Sequence, residues 1–218
     1  GVNGNSFGFA WFTLDQRLRY PVLTVEARLL SAALADLDVV ILPGAQASGL
    51  DAALGEGGRS ALAAWVRNGG VLITLEGSTA WLARESVGLP RLRIRPDSAG
   101  ADGMAPLPVN VPGAIVRALA GIGQTELPVM VDGGTVLALP RNLRPGEAVI
   151  QYAAADRLRM AGYLWPEAPG RLARSPYLWT ERVGNGRVIA FAGDPNFRDL
   201  WRGLMPIFGN AVFLGASY

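Results

Sequence analysis

Two uninterrupted apolar runs constrain the fold of this chain most strongly, residues 38–42 (DVVIL) and 71–75 (VLITL). Runs of this kind are typical of parallel strands that are covered on both faces. Between them, residues 58–67 carry an apolar stripe at helical spacing and end at the capping signal NGG. Strand, helix and strand in this order predict a right-handed crossover, and hence an α/β fold with a doubly wound, mostly parallel sheet.

The flanking segments extend this pattern in both directions. A helix is predicted over residues 6–19 with Ser6 as its N-cap, and a short strand over residues 21–26 (PVLTVE). Another helix is predicted over residues 79–85, with Ser78 as the candidate cap.

The second half of the chain is less regular. Residues 89–174 are interpreted as an irregular β-rich insertion with strands at 113–119, 135–139 and 148–152. A hairpin of residues 177–183 and 187–191 is predicted around Gly184-Asn185-Gly186, and a final helix from about Leu204 or Pro206 to Leu214. No linker demands two units, so residues 1–218 are treated as one domain.

Composition excludes several functions. The chain has neither Cys nor His, which removes thiolate and Ser-His-Asp catalysis and the usual zinc sites, so we predict no catalytic residue, metal or cofactor. Its 20 basic and 18 acidic residues are spread along the chain, so nucleic acid is not an expected partner. No apolar run approaches the roughly 18–20 residues that a bilayer span requires.

Three stretches resemble a known type of domain: SFGFAWFTLDQRLRYPV at residues 6–22, the segment from DVVILPG to EGSTAWL at 38–82, and GNGRVIAFAGDPNFRDLWRG at 184–203. Together they resemble the class I glutamine amidotransferase-like, flavodoxin-like domain that follows the peptidase domain in large bacterial zinc carboxypeptidase-family proteins. The resemblance implies that residues 1–218 are a fragment of such a protein, with the catalytic peptidase domain of the same polypeptide as partner and an extracytoplasmic location, periplasmic or secreted. Homo-oligomerisation is left open.

The chain departs from active amidotransferases in two ways. Active members place a Cys at the sharp turn after a central strand and supply a His from elsewhere. Here that turn is Leu75-Glu76-Gly77-Ser78, without a thiol and without an imidazole for Ser78. The resemblance also implies a first strand before Asn3, which either the preceding segment supplies or a rearranged sheet replaces.

Loops after parallel strands meet at one edge of a sheet, where ligands of open α/β folds bind. The candidate ligand-binding residues there are Asn5, Ser6, Gly44, Gln46, Glu76, Gly77, Ser78, Asp194 and Asn196. The same residue types are ordinary caps and turns, and this structural interpretation is favoured. Candidates for contact with a partner domain are Trp165, Arg198, Trp201 and Arg202.

Three functional hypotheses follow. The first is a non-catalytic accessory domain that positions or stabilises a catalytic domain. The second is a small-ligand or glycan-binding module that uses the loop cluster. The third, a remote alternative, is a hydrolase in which Glu76 and Asp194 act as a carboxylate pair.

Overall fold

The computed structural model describes residues 2–95, 114–120, 125–131 and 135–217. The strands are β1 (Val39–Leu42), β2 (Val71–Leu75), β3 (Ala114–Ala120), β4 (Thr125–Val131), β5 (Ala148–Tyr152), β6 (Arg159–Ala161), β7 (Pro176–Val183) and β8 (Gly186–Phe191). The helices are α1 (Gly4–Trp11), which continues as a π-helical turn (Phe12–Arg17), α2 (Leu30–Ala33), α3 (Ala47–Arg67), α4 (Gly77–Leu82), α5 (Ala155–Leu158), α6 (Ala168–Leu172) and α7 (Met205–Leu214).

One mixed sheet joins these strands in the order β1-β2-β8-β7-β5-β3-β4, with β6 paired to β3. β1, β2 and β8 are parallel neighbours, and the other pairs are antiparallel. The α/β architecture is therefore confirmed, but the parallel part is limited to three strands. The parallel part ends at β8 because a tight hairpin joins β7 to β8, and only antiparallel strands can be joined in this way.

Helices cover the parallel part on both faces, and all five residues of β2 are buried. On one face Phe191, the register partner of Leu75, packs edge-on against Phe208 of α7 with ring centroids 6.3 Å apart. On the other face the Thr74 and Thr79 hydroxyls are 2.8 Å apart, which places α4 there because side chains alternate along a strand. Helices therefore lie on both faces of the parallel part of the sheet.

The start of α1 differs from the sequence prediction. Asn3, not Ser6, is the N-cap, because its side-chain oxygen accepts the Asn5 N–H at 2.9 Å. Ser6 lies one turn inside the helix, is 2% exposed and bonds across to other loops. Trp11 lies in the same helix and is 39% exposed.

The predicted strand at residues 21–26 is wrong, since none of these residues has regular secondary structure. The segment passes the outer edge of the sheet next to β1 but pairs with no strand of the described chain. Without a neighbour to receive its backbone hydrogen bonds, a sequence with strand propensity does not become a strand.

The irregular region was predicted in part. β5 has the predicted bounds, and β3 differs from residues 113–119 by one residue at each end, with Gly113 outside the described residues. Residues 135–139 form no strand, only an isolated antiparallel bridge between Leu137 and Ile94. β4 was not predicted from the sequence; it contains Pro128, which is tolerated because β4 is the outermost strand.

The C-terminal hairpin of β7 and β8 is confirmed. Gly184 adopts φ 64°, and a side chain there would put a Cβ 2.5 Å from the Arg67 carbonyl oxygen. Asn185 donates its N–H to the same carbonyl at 2.8 Å, which ties the hairpin to the end of α3. In the part of the chain that the structure describes, no helix combines the length and the apolarity that crossing a bilayer requires.

Candidate functional site

Ser6 of α1 joins two of the predicted strand-end loops, those after β1 and β8. Its hydroxyl accepts the Gly44 N–H at 2.8 Å and donates its single proton to the Asp194 carboxylate at 2.7 Å. Asn3 adds a backbone bond from its N–H to the Gly44 carbonyl at 2.7 Å. Ser6, Gly44 and Asp194 are all buried, so the loops after β1 and β8 are fastened to α1 by an internal polar network.

Glu76 occupies the sharp turn between β2 and α4. Its backbone has φ 49° and ψ −119°, a conformation that costs a non-glycine residue about 1–3 kcal/mol and persists only where neighbours enforce it. One constraint is the Glu76 N–H, which donates to the Phe191 carbonyl at 3.1 Å. In enzymes with this strand-turn-helix geometry the residue at the turn is the exposed nucleophile. Here the position holds a carboxylate.

Two glycines allow this turn to pack closely. A Cβ at Gly77 would lie 2.2 Å from the Ala45 carbonyl oxygen, so only glycine fits beneath the loop after β1. A Cβ at Gly44 would lie 2.3 Å from Glu76 Oε2 and 3.2 Å from Ser6 Oγ. The Glu76 carboxylate therefore lies directly over the Gly44 backbone.

The two carboxylates of the hydrolase hypothesis are neighbours. Because Gly44 and Ser6 connect them, the distances above place the oxygens of Glu76 and Asp194 within about 8 Å, inside the roughly 5–10 Å span that paired-carboxylate glycosidases use. Their separation does not exclude the hypothesis. The existing hydrogen bonds count against the hypothesis, because the Asp194 carboxylate already accepts the Ser6 hydroxyl and the Asn196 N–H.

The loop after β8 contributes Asp194 and Asn196. Asp194 Oδ1 accepts the Asn196 N–H at 2.8 Å, a local turn of the kind that aspartate favours. Asn196 is 4% exposed, and neither polar atom of its side chain has a hydrogen-bond partner within the described residues. Such an amide is uncommon, because burying it unpaired costs free energy.

Ser78 is not the predicted cap. Helix α4 begins at Gly77 and ends at Leu82, and the Ser78 hydroxyl donates to the Pro43 carbonyl at 2.5 Å. The neighbouring Thr79, which the sequence analysis missed, donates its hydroxyl proton to the Phe191 carbonyl at 2.7 Å. Both hydroxyls thus fasten α4 to the ends of β1 and β8. The sequence signal available for Thr79 was that two hydroxyl residues, Ser78 and Thr79, follow Gly77.

Asn5 and Gln46 stay outside this buried network. Both are exposed, and Gln46 precedes α3 without using its side chain as a cap. The structure therefore brings Ser6, Gly44, Glu76, Ser78 and Asp194 together as a strand-end cluster and leaves these two amides at the surface.

The partner-interface candidates have different surroundings. Trp165 is 39% exposed, and its ring meets Tyr163 edge-on with centroids 5.6 Å apart. Arg198 and Arg202 are exposed, and the Arg198 guanidinium lies 5.2 Å from the centroid of the Phe197 ring. Trp201 is half-buried, and its Nε1 has no acceptor within the described residues.

An internal ion pair lies next to Arg198. Asp199 pairs with Arg17 of the π-helical turn, so it links the loop after β8 to the end of the first helix. Phe9 and Phe197 reinforce the same junction with ring centroids 5.5 Å apart.

Two carboxylates away from the site have lowered pKa values. The Asp51 carboxylate accepts a hydrogen bond from the Trp81 indole N–H at 2.9 Å. This bond lowers the Asp51 pKa below its ordinary value, and the nearby Arg84 and Arg59 guanidiniums lower it further. Sequence spacing gave no signal for this contact, which joins α3 to α4.

Glu147 is 5% exposed and pairs with Arg91. Burial acts to raise the Glu147 pKa, but the Arg144 N–H at 2.7 Å and the Arg91 guanidinium hold it below its ordinary value. Within the described residues no group of three or more acidic side chains could hold a metal ion.

Comparisons with known proteins identify the fold. No family model matches the chain, and no curated protein sequence matches it. A cytoplasmic protein from Salmonella typhimurium LT2 is 13% identical with a TM-score of 0.60, over 95% of this chain and 86% of its own. A ThuA-like protein from Bacteroides uniformis ATCC 8492 is 13% identical with a TM-score of 0.55, over 94% and 84%.

An exo-β-1,4-mannosidase from Opitutaceae bacterium strain TAV5 is 18% identical with a TM-score of 0.49. The match spans 98% of this chain but only 30% of that enzyme. The likeness to the first two structures is one of fold, and it agrees with an amidotransferase-like architecture.

Proposed function

We propose that this chain is a non-catalytic accessory domain of a bacterial zinc carboxypeptidase-family protein, exported with its parent, where it positions or stabilises the peptidase domain. The sequence resemblance supplies the context. The observation that carries the non-catalytic role is that both serine hydroxyls of the strand-end cluster donate their protons to internal acceptors, Ser6 to Asp194 and Ser78 to the Pro43 carbonyl.

The chemistry of the cluster supports this role. A serine nucleophile needs a base that removes its proton, usually histidine, and the chain has none. The turn that presents the nucleophile in related enzymes holds Glu76, whose carboxylate lies against Gly44. A buried and internally bonded cluster stabilises the junction of α1 with the loops after β1 and β8, which is what a scaffold requires.

Hydrolysis assays test the absence of catalysis. The purified chain and its Glu76→Gln variant are incubated with peptide, amide and glycoside substrates, and we expect equal rates at the level of buffer. Turnover by the unsubstituted chain that disappears in Glu76→Gln would overturn the proposal in favour of the carboxylate hydrolase.

The accessory role is tested in the parent protein. We expect the peptidase domain to unfold at a lower temperature when residues 1–218 are deleted, because it loses packing against them. The Trp165→Ala and Arg202→Ala variants should reproduce part of that loss. A peptidase domain with unchanged stability and turnover after deletion would contradict an accessory role.

A second candidate, a small-ligand or glycan-binding module, is favoured by one observation, the unpaired buried amide of Asn196. An amide offers two donors and an acceptor, which suit hydroxyl or carbonyl groups of a sugar or peptide. Calorimetry with sugars and peptidoglycan fragments decides: heat that disappears in Asn196→Ala supports this candidate, and flat heats remove it.

A further inference from the structure

The exposed side of α1 is largely apolar. Residues 2–14 carry no charged side chain, and Phe7, Trp11 and Phe12 have exposures of 43%, 39% and 37%. A helix at a protein surface normally turns charged and polar residues outward, whereas a helix that is hydrophobic all round is buried. This pattern predicts that another surface covers α1.

A cavity of about 400 Å³, the α1 cavity, lies against this helix. Gly4, Gly8 and Phe12 line it from the helix, and Arg198 and Asp199 line it from the loop after β8. The three helix positions are four residues apart, so they form one of the rows along which packed helices interdigitate. This row is indented at its two glycines and raised at Phe12.

The fold of the described chain does not require either glycine. Neither Gly4 nor Gly8 has a positive φ, and a Cβ at either position would meet no atom of the described chain within 4 Å. Glycine is also a weaker helix former than alanine. An indentation that internal packing does not require suits a close approach by another molecule to the helix backbone.

The walls of the α1 cavity are fixed by internal contacts. Asp199 pairs with Arg17, and the rings of Phe9 and Phe197 meet edge-on with centroids 5.5 Å apart. A cavity that is already formed loses little conformational entropy when it is filled, which favours binding. The exposed Arg198 guanidinium in its wall would attract the face of an aromatic ring. The cavity therefore suits an uncharged aromatic side chain.

A second copy of the chain carries an occupant of this shape and chemistry. Two α1 helices that run in opposite directions, with their Gly8 residues face to face, place the Phe12 ring of each copy over Gly4 of the other, because both residues lie four positions from Gly8. Each raised end then fills the indentation of the other copy. Contacts that are identical in both directions are those of a two-fold axis.

The absence of charge on α1 agrees with this symmetry. A two-fold axis brings identical residues together, so a charged residue near it would meet its own like charge, which is costly. The first charged residue of the chain is Asp15, beyond the proposed contact between Gly4 and Phe12.

We propose that α1 is the interface of a symmetric homodimer, in which the helices of two copies cross antiparallel at Gly8 and each Phe12 ring enters the α1 cavity of the other copy. The helical residues 4–17 form a rod about 21 Å long and about 10–12 Å wide, so each copy buries a few hundred Å². This is less than the roughly 800 Å² per partner of a standard interface, so the dimer is weak, with a dissociation constant in the micromolar range.

This inference does not depend on the proposed accessory role. A chain that stays monomeric would refute the dimer alone, whereas the accessory role is decided by the stability of the peptidase domain.

Sedimentation equilibrium tests the proposal at protein concentrations from about 1 to 500 µM, which bracket a micromolar dissociation constant. We expect a monomer–dimer equilibrium. Gly8→Leu should weaken the dimer at least about 10-fold because two added side chains meet at the axis, and Phe12→Ala should do the same because the α1 cavity stays empty. Gly57→Leu is the matched control, since Gly57 of α3 has equally open surroundings, and it should leave the dissociation constant unchanged. A monomer at every concentration, or a dimer that Gly8→Leu and Phe12→Ala do not weaken, would overturn the proposal.

A cross-linking test does not depend on how these variants fold. Because the chain has no Cys, Gly8→Cys introduces a single thiol on the proposed axis. A glycine-to-glycine crossing brings the two Cα atoms near the roughly 4.4–6.8 Å that a disulfide spans. Under mild oxidation we expect a covalent dimer of Gly8→Cys at a concentration at which Gly57→Cys stays monomeric. Equal cross-linking of the two variants, or none in Gly8→Cys, would contradict an interface at α1.

Discussion

Replacing Ser6 by alanine tests the account of the strand-end cluster. The substitution removes one oxygen and leaves the fold of α1 intact, since alanine favours helices. The Gly44 N–H then has no acceptor in a buried position, and the Asp194 carboxylate loses one donor. Leaving a buried donor unpaired costs about 1–3 kcal/mol, and losing a bond to a charged group costs about 1.5–3 kcal/mol.

We therefore expect Ser6→Ala to lower the free energy of unfolding by about 2–4 kcal/mol, with relaxation of the loops offsetting part of the two losses. For a chain of this size each kcal/mol corresponds to about 2–4 °C in the unfolding midpoint. Urea and thermal unfolding measure the change. Ser48→Ala, at an exposed position in the first turn of α3, is the control and should change stability by less than about 0.5 kcal/mol.

The opposite outcome is informative. Residues kept for catalysis commonly cost stability, so a catalytic Ser6 would give an alanine variant that is equally or more stable. A loss below about 0.5 kcal/mol would refute a structural network. A double-mutant cycle of Ser6→Ala with Asp194→Asn should also give a coupling energy of about 0.5–3 kcal/mol, because the two side chains share a hydrogen bond.

Three further predictions concern other parts of the molecule. Gly77→Ala should lower the free energy of unfolding, measured in urea, by at least about 2 kcal/mol, because the added Cβ would lie 2.2 Å from the Ala45 carbonyl oxygen. Gly57→Ala, in α3, should raise it by up to about 1 kcal/mol, because the added Cβ has no atom within 4 Å. Because the folded pKa of Glu147 is lowered, its contribution is present above the unfolded value of about 4.3 and is lost as the pH falls through the folded value; Glu147→Gln should therefore flatten the acid limb of a stability–pH profile, and an unchanged limb would contradict this. Trp81→Phe should raise the Asp51 pKa toward its ordinary value in an NMR titration, since the indole N–H is the principal cause of its lowering, and an unmoved pKa would assign the lowering to the arginines.

The elements fixed by local signals were predictable from the sequence. Apolar runs located β1 and β2, and Gly184-Asn185-Gly186 located the hairpin, because turn chemistry and burial act over a few residues. The prediction of a strand at residues 21–26 failed for the opposite reason, because a strand depends on a neighbouring strand that is often far away in sequence. β4 has no comparable local signal: proline is depleted in strands, and its tolerance at Pro128 depends on an edge position that only the assembled sheet defines.

The candidate site was predicted as a location but not as a network. Open α/β sheets place strand-end loops together, so Ser6, Glu76 and Asp194 could be nominated from topology alone. The bonds that Ser6 makes depend on its position inside α1. The sequence prediction instead placed Ser6 at the N-cap, before the first turn of the helix. The Glu76 backbone conformation and the glycine contacts beneath it are tertiary features with no local signature.

The most direct measurement of the central claim is native-state hydrogen exchange at the Gly44 amide. If the strand-end cluster is a structural junction, this N–H, bonded to the buried Ser6 hydroxyl, should open only with global unfolding, and Ser6→Ala should release it. Exchange at Gly44 that is fast in the unsubstituted chain, while β2 stays protected, would show an open and mobile site and would contradict the account.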